Sequence, residues 1–219
     1  MTVRVVVADD QAMVRAGLRM VVESEPGMEV VGEAADGAEA VALARRLRPD
    51  VVLMDISMPV MDGLTAARRV LGDPDPPRII ILTTFDTDEN LYAALRAGAS
   101  GFLLKVSPPE QLVEAVRVVA AGDALLDPAV TTRVIASFAG RHEPVRPSSL
   151  DELTRRELEV LRHLARGLTN AEIAGELFVG EATVKTHVAR VLMKLGLRDR
   201  AQAVVFAYES GVVRPGAAG

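Results

Sequence analysis

Cysteine is absent from all 219 residues, which excludes disulfides, thiolate metal sites, iron–sulfur clusters and cysteine nucleophiles. Tryptophan is absent too, and aromatic residues make up only 3% of the chain, so Ala and Val must fill much of the 49% apolar fraction. No apolar run approaches the roughly 18 residues of a membrane span, and the opening MTVRVVVADD lacks the long apolar stretch of a signal peptide. A cytoplasmic protein without a membrane partner is expected. An overall basic excess is also missing, since the formal charge is −5. The imbalance is local: residues 1–147 carry 15 basic against 21 acidic side chains, and residues 148–219 carry 10 against 9. Only the second part is a partner for phosphates, provided its cations share one face.

What is present divides the chain in two. Short β-branched runs at 3–10, 28–34, 51–55, 78–84 and 101–105 alternate with helical spacings at about 11–24, 36–48, 62–71, 87–97 and 108–121. Five strand-then-helix units predict an α/β fold, a doubly wound five-stranded parallel sheet over residues 1–121, because right-handed crossovers cover both faces. A helix is expected at about 127–138, inside a linker of 122–149 that ends in the Gly/Pro/Ser-rich GRHEPVRPSS. From 150 to 212 strands vanish. Four helical patterns follow at about 154–166, 170–177, 181–195 and 199–210, predicting an all-α four-helix domain before a tail at 213–219.

In an open parallel sheet, function gathers beyond the carboxyl ends of the strands. Asp9 and Asp10 end the first strand, Asp55 the third, Thr83 and Thr84 the fourth, and Lys105 the fifth. Three carboxylates brought together repel unless a cation neutralises them, and an oxygen-only ligand set suits a hard ion, Mg²⁺ above all. The chemistry that fits has Asp55 as nucleophile and Asp10 with Asp55 as metal ligands. Asp9 would hold the metal's water shell, and Lys105 and a Thr hydroxyl would donate to a transferred phosphoryl group. Any single Asp here could instead cap the helix that follows.

VVVADD, VVLMDISMPVMDG, IILTT and GFLLK together make residues 1–121 resemble the receiver domain of bacterial two-component response regulators. The resemblance implies phosphorylation of Asp55 by a sensor histidine kinase with Mg²⁺ bound, the metal also taking the main-chain carbonyl of Ser57. It implies Thr83 as the switch hydroxyl and Phe102 as the aromatic that follows it. Pro59 and Gly63 have backbone roles, setting the turn and freeing the loop.

In the second part, LTNAEIAGELFVGEATVKTHVARVLMKLG holds two short helices joined tightly at Val179 and Gly180. Val184, Val188, Val191, Leu192 and Leu195 form one buried stripe, leaving Lys185, Thr186, Ala189, Arg190 and Met193 on the opposite face. Small and cationic residues on one face suit a major groove of double-stranded DNA, with Lys185, Thr186 and Ala189 toward the bases. Thr169, Asn170, Thr183, His187, Arg190 and Lys194 stand near helix starts or flanks, where phosphates are held. Residues 150–212 resemble the LuxR-type helix-turn-helix, and the combination is that of NarL/FixJ-type response regulators. That resemblance implies a DNA-binding transcription regulator that forms a homodimer when phosphorylated, and no enzyme. The last helix, with Ala201, Val204, Val205 and Tyr208, closes the core, and in the family it also mates two DNA-binding domains.

Two rival chemistries fare worse. A phosphatase of the haloacid-dehalogenase type needs a second acid two residues after its nucleophile, where this chain has Ser57. A nucleotide-binding module needs a glycine-rich phosphate loop after the first strand, and neither common form is present. His142, His163 and His187 are too scattered to form a metal site.

Overall fold

The computed structural model describes residues 2–84, 93–94, 96–121 and 147–213. The chain divides into two compact units, Met1–Leu125 and Leu126–Gly219. The expected linker helix at 127–138 and most of the expected helix at 87–97 lie outside the described residues.

In the first unit, β1 (Val3–Ala8), β2 (Met28–Ala34), β3 (Val51–Asp55), β4 (Arg78–Thr83) and β5 (Gly101–Leu104) form one parallel sheet in the order β2-β1-β3-β4-β5. Between them lie α1 (Ala12–Glu23), α2 (Gly37–Leu47) and α3 (Gly63–Leu71), and α4 (Pro109–Ala120) follows β5. Every residue of β3 is buried, as a central strand covered on both faces requires. One face packs Val5, Val7, Val51, Leu53, Ile80, Leu82 and Leu103 against Val22 of α1 and Leu112, Val116 and Val119 of α4. Strand alternation turns Val6, Val52, Met54, Ile79 and Ile81 to the other face, on the side of α2 and α3. Among the buried residues of α2 and α3, Ala40, Ala44, Ala66 and Ala67 accompany Val41, Leu43 and Val70. Alanine thus does the work of the missing aromatics, letting helix backbones lie close to a Val/Ile sheet, and each fully buried aliphatic contributes about 1.5–3 kcal/mol.

The winding reverses between β1 and β3, and that crevice is where Asp9, Asp10 and Asp55 emerge. Local chemistry fixes the helix starts around it. Asp36 caps α2 through Glu39 N, and Asp62 caps α3 through Thr65 N.

The described part of the second unit begins with a 3-10 turn at Ser148–Glu152, which straddles the boundary expected between linker and helical domain at 149/150. It continues with α5 (Arg155–Ala165), α6 (Asn170–Leu177), α7 (Glu181–Leu195) and α8 (Arg200–Glu209). Thr154 with Glu157, and Thr169 with Glu172, form capping boxes at the starts of α5 and α6. Ile173, Val184, Val191, Val204 and the α5 residues Val160, Leu161 and Leu164 make the core. Tyr208 of α8 is buried among them and donates its hydroxyl to the Ala165 carbonyl at 3.1 Å. Burial pushes that phenol up to about 12. α8 therefore closes the four-helix core as its apolar positions predict.

Candidate functional site

At the carboxyl edge of the sheet, one ligand oxygen each from Asp9, Asp10 and Asp55 lie within 4.8 Å of one another. Asp9 and Asp55 are buried, whereas Asp10 is exposed. Lys105 reaches across from the end of β5, its Nζ standing 2.5 Å from Asp9 Oδ2 and 3.1 Å from Asp55 Oδ2. The ammonium thus stands between the two buried carboxylates. Asp9 Oδ1 accepts from Gln11 N at 2.9 Å, which holds the turn before α1; the N-cap of that helix is Gln11, with no side-chain capping bond, so Asp9 does not cap it.

The charges here do not balance. Burial pushes the Asp55 carboxyl above its ordinary range; Lys105 pulls it down, the Asp9 charge adds to the rise, and the net direction is up. Burial alone would lower the Lys105 ammonium, but the Asp9 and Asp55 carboxylates outweigh it and hold it raised. One ammonium among three carboxylates leaves negative charge uncompensated, and the donors are all hard oxygens. A divalent ion fits this set on both counts.

The remaining sequence-expected residues fall around the cluster. Thr83 is buried at the end of β4, its carbonyl accepting from Lys105 N at 2.8 Å, while Thr84 is exposed at the rim. Phe102 is 1% exposed and pairs in register with Ile81, two residues before Thr83, so Phe102 and Thr83 belong to the same face of the sheet. Ser57 is exposed on the loop just beyond Asp55. Gly63 has a tighter role than a freed loop: its N–H donates to the Ile56 carbonyl at 2.9 Å, and a Cβ would overlap the Asp55 carbonyl oxygen. Glycine here lets the start of α3 press against the backbone of the nucleophile candidate.

Val60 on the same loop was not singled out by sequence, yet it adopts φ +64° with its side chain exposed. Met61 N donates to the Pro59 carbonyl across it at 2.6 Å, giving a three-residue turn in a conformation that costs a β-branched residue strain. Arg15 was missed as well. Its guanidinium donates to the Asp9 carbonyl at 2.7 Å and lies 3.6 Å from Glu33, pinning the backbone behind the acidic pair.

The second unit offers a different kind of surface. On α7, Val184, Val188 and Val191 are buried while Lys185, Thr186, Ala189, Arg190 and Met193 are exposed, the two-faced division expected from the periodicity; Leu192 and Leu195 are half-buried. Lys185 pairs with Glu181 at 3.2 Å in solvent, and the Thr186 hydroxyl donates to the Ala182 carbonyl at 3.0 Å. Exposed contacts of this sort are exchanged at little cost. Thr183 is exposed in the first turn of α7, and Gly180 caps that helix without a side chain. Thr169 spends its hydroxyl on the capping box of α6, and Asn170 Oδ1 accepts from Arg200 at 3.5 Å. His187 is half-buried.

Lys194 departs from expectation. Its ammonium does not stand free for a phosphate but lies 2.7 Å from Glu157 Oε2 and 3.0 Å from the Glu152 carbonyl. The cause is Glu157, whose side chain is 3% exposed and needs a counter-charge. Hydrogen bonding to Lys194 first, then to Thr154, pulls the Glu157 carboxyl from 4.5 down to about 2.

Comparison with known proteins agrees with both halves. The family model for the response regulator receiver domain matches residues 5–117, and that for bacterial regulatory proteins of the luxR family matches residues 151–207. The uncharacterized transcriptional regulatory protein YxjL of Bacillus subtilis (strain 168) is 45% identical over 97% of this chain and 98% of its own length. The chain is a response regulator of the NarL/FixJ type.

Among solved response regulators, ChrA of a heme-sensing two-component system is 36% identical, covering 97% of this chain and 99% of its own, with a TM-score of 0.54. RcsB, solved as two dimers bound to two parallel DNAs, is 26% identical over 95% of this chain and 99% of its own, with a TM-score of 0.57. Response regulators of this type are phosphorylation-dependent DNA-binding regulators of transcription rather than a class of enzymes. Among the described residues no helix is long and apolar enough to cross a membrane.

Proposed function

We propose that Asp55 is the phosphoryl acceptor of this response regulator and that its modification controls DNA binding through α7. The observation that carries the reading is the contact of Lys105 Nζ with Asp55 Oδ2 inside the triad of Asp9, Asp10 and Asp55. A carboxylate kept at the mouth of a buried sheet beside a fixed cation is a poor structural element and a good acceptor.

The residues divide the work as follows. A carboxylate oxygen of Asp55 attacks the phosphorus of a phosphohistidine on the sensor kinase; the P–N bond breaks, an acyl phosphate forms, and the imidazole leaves. Asp10, Asp55 and the Ser57 carbonyl would hold Mg²⁺, with Asp9 through water; the bound ion supplies positive charge to the carboxylates and the phosphoryl oxygens. Lys105 donates to those oxygens, and the Thr83 hydroxyl turns toward them, with Thr84 at the rim and Phe102 filling the space behind. Charge and acceptor oxygens added at this edge bias the loops beyond β4 and β5.

The consequence is pairing of two chains. Two linked helix-turn-helix units face twin half-sites at high effective concentration, so a weak single contact becomes a firm one. The RcsB dimers on DNA support this part of the reading. Lys185, Thr186 and Ala189 enter the major groove, and Thr169, Asn170, Thr183, His187 and Arg190 line the phosphates. Ala189 reads by apolar contact alone.

Sedimentation velocity of the full chain with Mg²⁺, with and without beryllofluoride as phosphoryl mimic, tests this. The mimic should convert wild type to dimer and leave Asp55→Asn unchanged. A response in Asp55→Asn equal to that of wild type would reject Asp55 as the control point.

A further inference from the structure

Along α7 the cations are held differently. Lys185 and its partner Glu181 are both more than half exposed, whereas Lys194 is 27% exposed and its partner Glu157 only 3%. Glu157 lies in the first turn of α5 and accepts through Oε2 from both Thr154 N, at 2.8 Å, and Lys194. Lys194 in turn donates to the carbonyl of Glu152, the last residue of the 3-10 turn that precedes α5. One ammonium thus joins the C-terminal end of α7 to the start of α5 and to that turn. If it left for a DNA phosphate it would strand a buried carboxylate, which costs more than an exposed phosphate contact returns.

We propose that Lys194 is a positioning residue for DNA recognition: anchored on Glu157 and the Glu152 carbonyl, it fixes the tilt of α7 so that Lys185, Thr186 and Ala189 meet the groove together, and it neutralises no phosphate. This rests on the reading of α7 as the DNA-contacting helix. Lys185 precedes Lys194 by nine residues, about 13 Å of helix axis, so a few degrees of tilt at the anchored end moves Lys185 by about 1 Å. Displacements of that size decide whether a recognition group meets its target. Because Glu157 already cancels the charge of Lys194, removing both members of the pair leaves the unit's net charge, and with it the general attraction for phosphates, unchanged.

The two possible roles predict opposite signs. If Lys194 touches phosphate, Glu157→Gln frees it and tightens DNA binding; if it positions α7, Glu157→Gln weakens specific binding as Lys194→Met does. The experiment uses the full chain with Mg²⁺ and acetyl phosphate. The probes are a duplex recovered by the wild type from a random-sequence pool and a shuffled duplex of equal length. Anisotropy titrations run at several salt concentrations, at temperatures where circular dichroism shows each variant folded.

Lys194→Met and Glu157→Gln should each lose about tenfold in affinity for the recovered duplex, with the double variant losing no more than either alone. In the charge-neutral double variant, affinity for the shuffled duplex and the salt slope should stay at wild-type values, and Lys194→Arg, which keeps the pair, should retain the wild-type preference. A fall of about one in the salt slope for both Lys194→Met and the double variant, with weaker binding of both to both duplexes, would overturn the proposal in favour of a phosphate contact. Unchanged preference in every variant, with only a lower melting temperature, would overturn it in favour of a purely structural pair. If Glu157→Gln does not fold, Lys194→Met against Lys194→Arg decides by the same readouts. A wild type that fails to prefer the recovered duplex would instead remove the DNA reading itself.

Discussion

Asp55 meets its partners across strands that are distant in sequence, whereas Lys185, Thr186 and Ala189 share a single helix. The first site is a convergence: Asp9 from beyond β1, Asp55 at the end of β3 and Lys105 beyond β5 touch only because the sheet is parallel and every strand ends at the same edge. The second is a surface left over when α7 buries Val184, Val188 and Val191. A convergent site should be intolerant of small changes in backbone and charge. A helix face should tolerate them and lose function one contact at a time.

The largest effect belongs to the convergent site. Asp55→Asn should abolish labelling of the chain by a small phosphodonor with Mg²⁺, read by intact-protein mass spectrometry; undiminished labelling would break the assignment. Next, Gly63→Ala should destabilise the first unit by about 3 kcal/mol in a urea titration, because the new methyl group meets the Asp55 carbonyl. Its control is Gly17→Ala on α1, where a Cβ meets nothing within 4 Å. That substitution should gain about 0.5–1 kcal/mol.

Between these lies the acid response of the second unit. Glu157 is depressed from 4.5 to about 2 in the folded chain, so its contribution to stability is fully present above about 4.5 and drains away as pH falls toward 2. Melting of the second unit across that window should show the loss, and Glu157→Gln should flatten it. Smaller in stability terms is Lys185→Ala. It should leave the melting temperature within error while costing about tenfold in affinity for a specific duplex. A loss of stability instead would mean that α7 is less independent of its surface than the helix-face picture holds.

The same contrast explains what could be read from sequence. Period-two runs and helical spacing are local, so the described strands and helices came within a residue or two of their expected bounds, and α7 divided into its two faces as foreseen. The acidic cluster was legible because strand ends in a parallel sheet share an edge, which turns scattered Asp and Lys positions into neighbours. The ion pair of Lys194 has no local signal because its partner lies 37 residues away, on a helix whose packing no local pattern encodes. The Thr154 to Glu157 spacing has the form of a capping box, yet that local form does not say where the second bond of the Glu157 carboxylate goes. Neither the close approach at Gly63 nor the strained turn at Val60 has a sequence signal of its own, since both follow from fitting the loop after Asp55 over the start of α3.

The coupling between the two surfaces is tested most directly by one titration. Affinity of the full chain for a duplex recovered by selection is measured with Mg²⁺, before and after acetyl phosphate, in wild type and Asp55→Asn. Phosphodonor should tighten binding at least about tenfold in the wild type and leave Asp55→Asn where it started. Equal tightening in both proteins, or none in the wild type despite full labelling at Asp55, would contradict control of the helix face by the buried carboxylate.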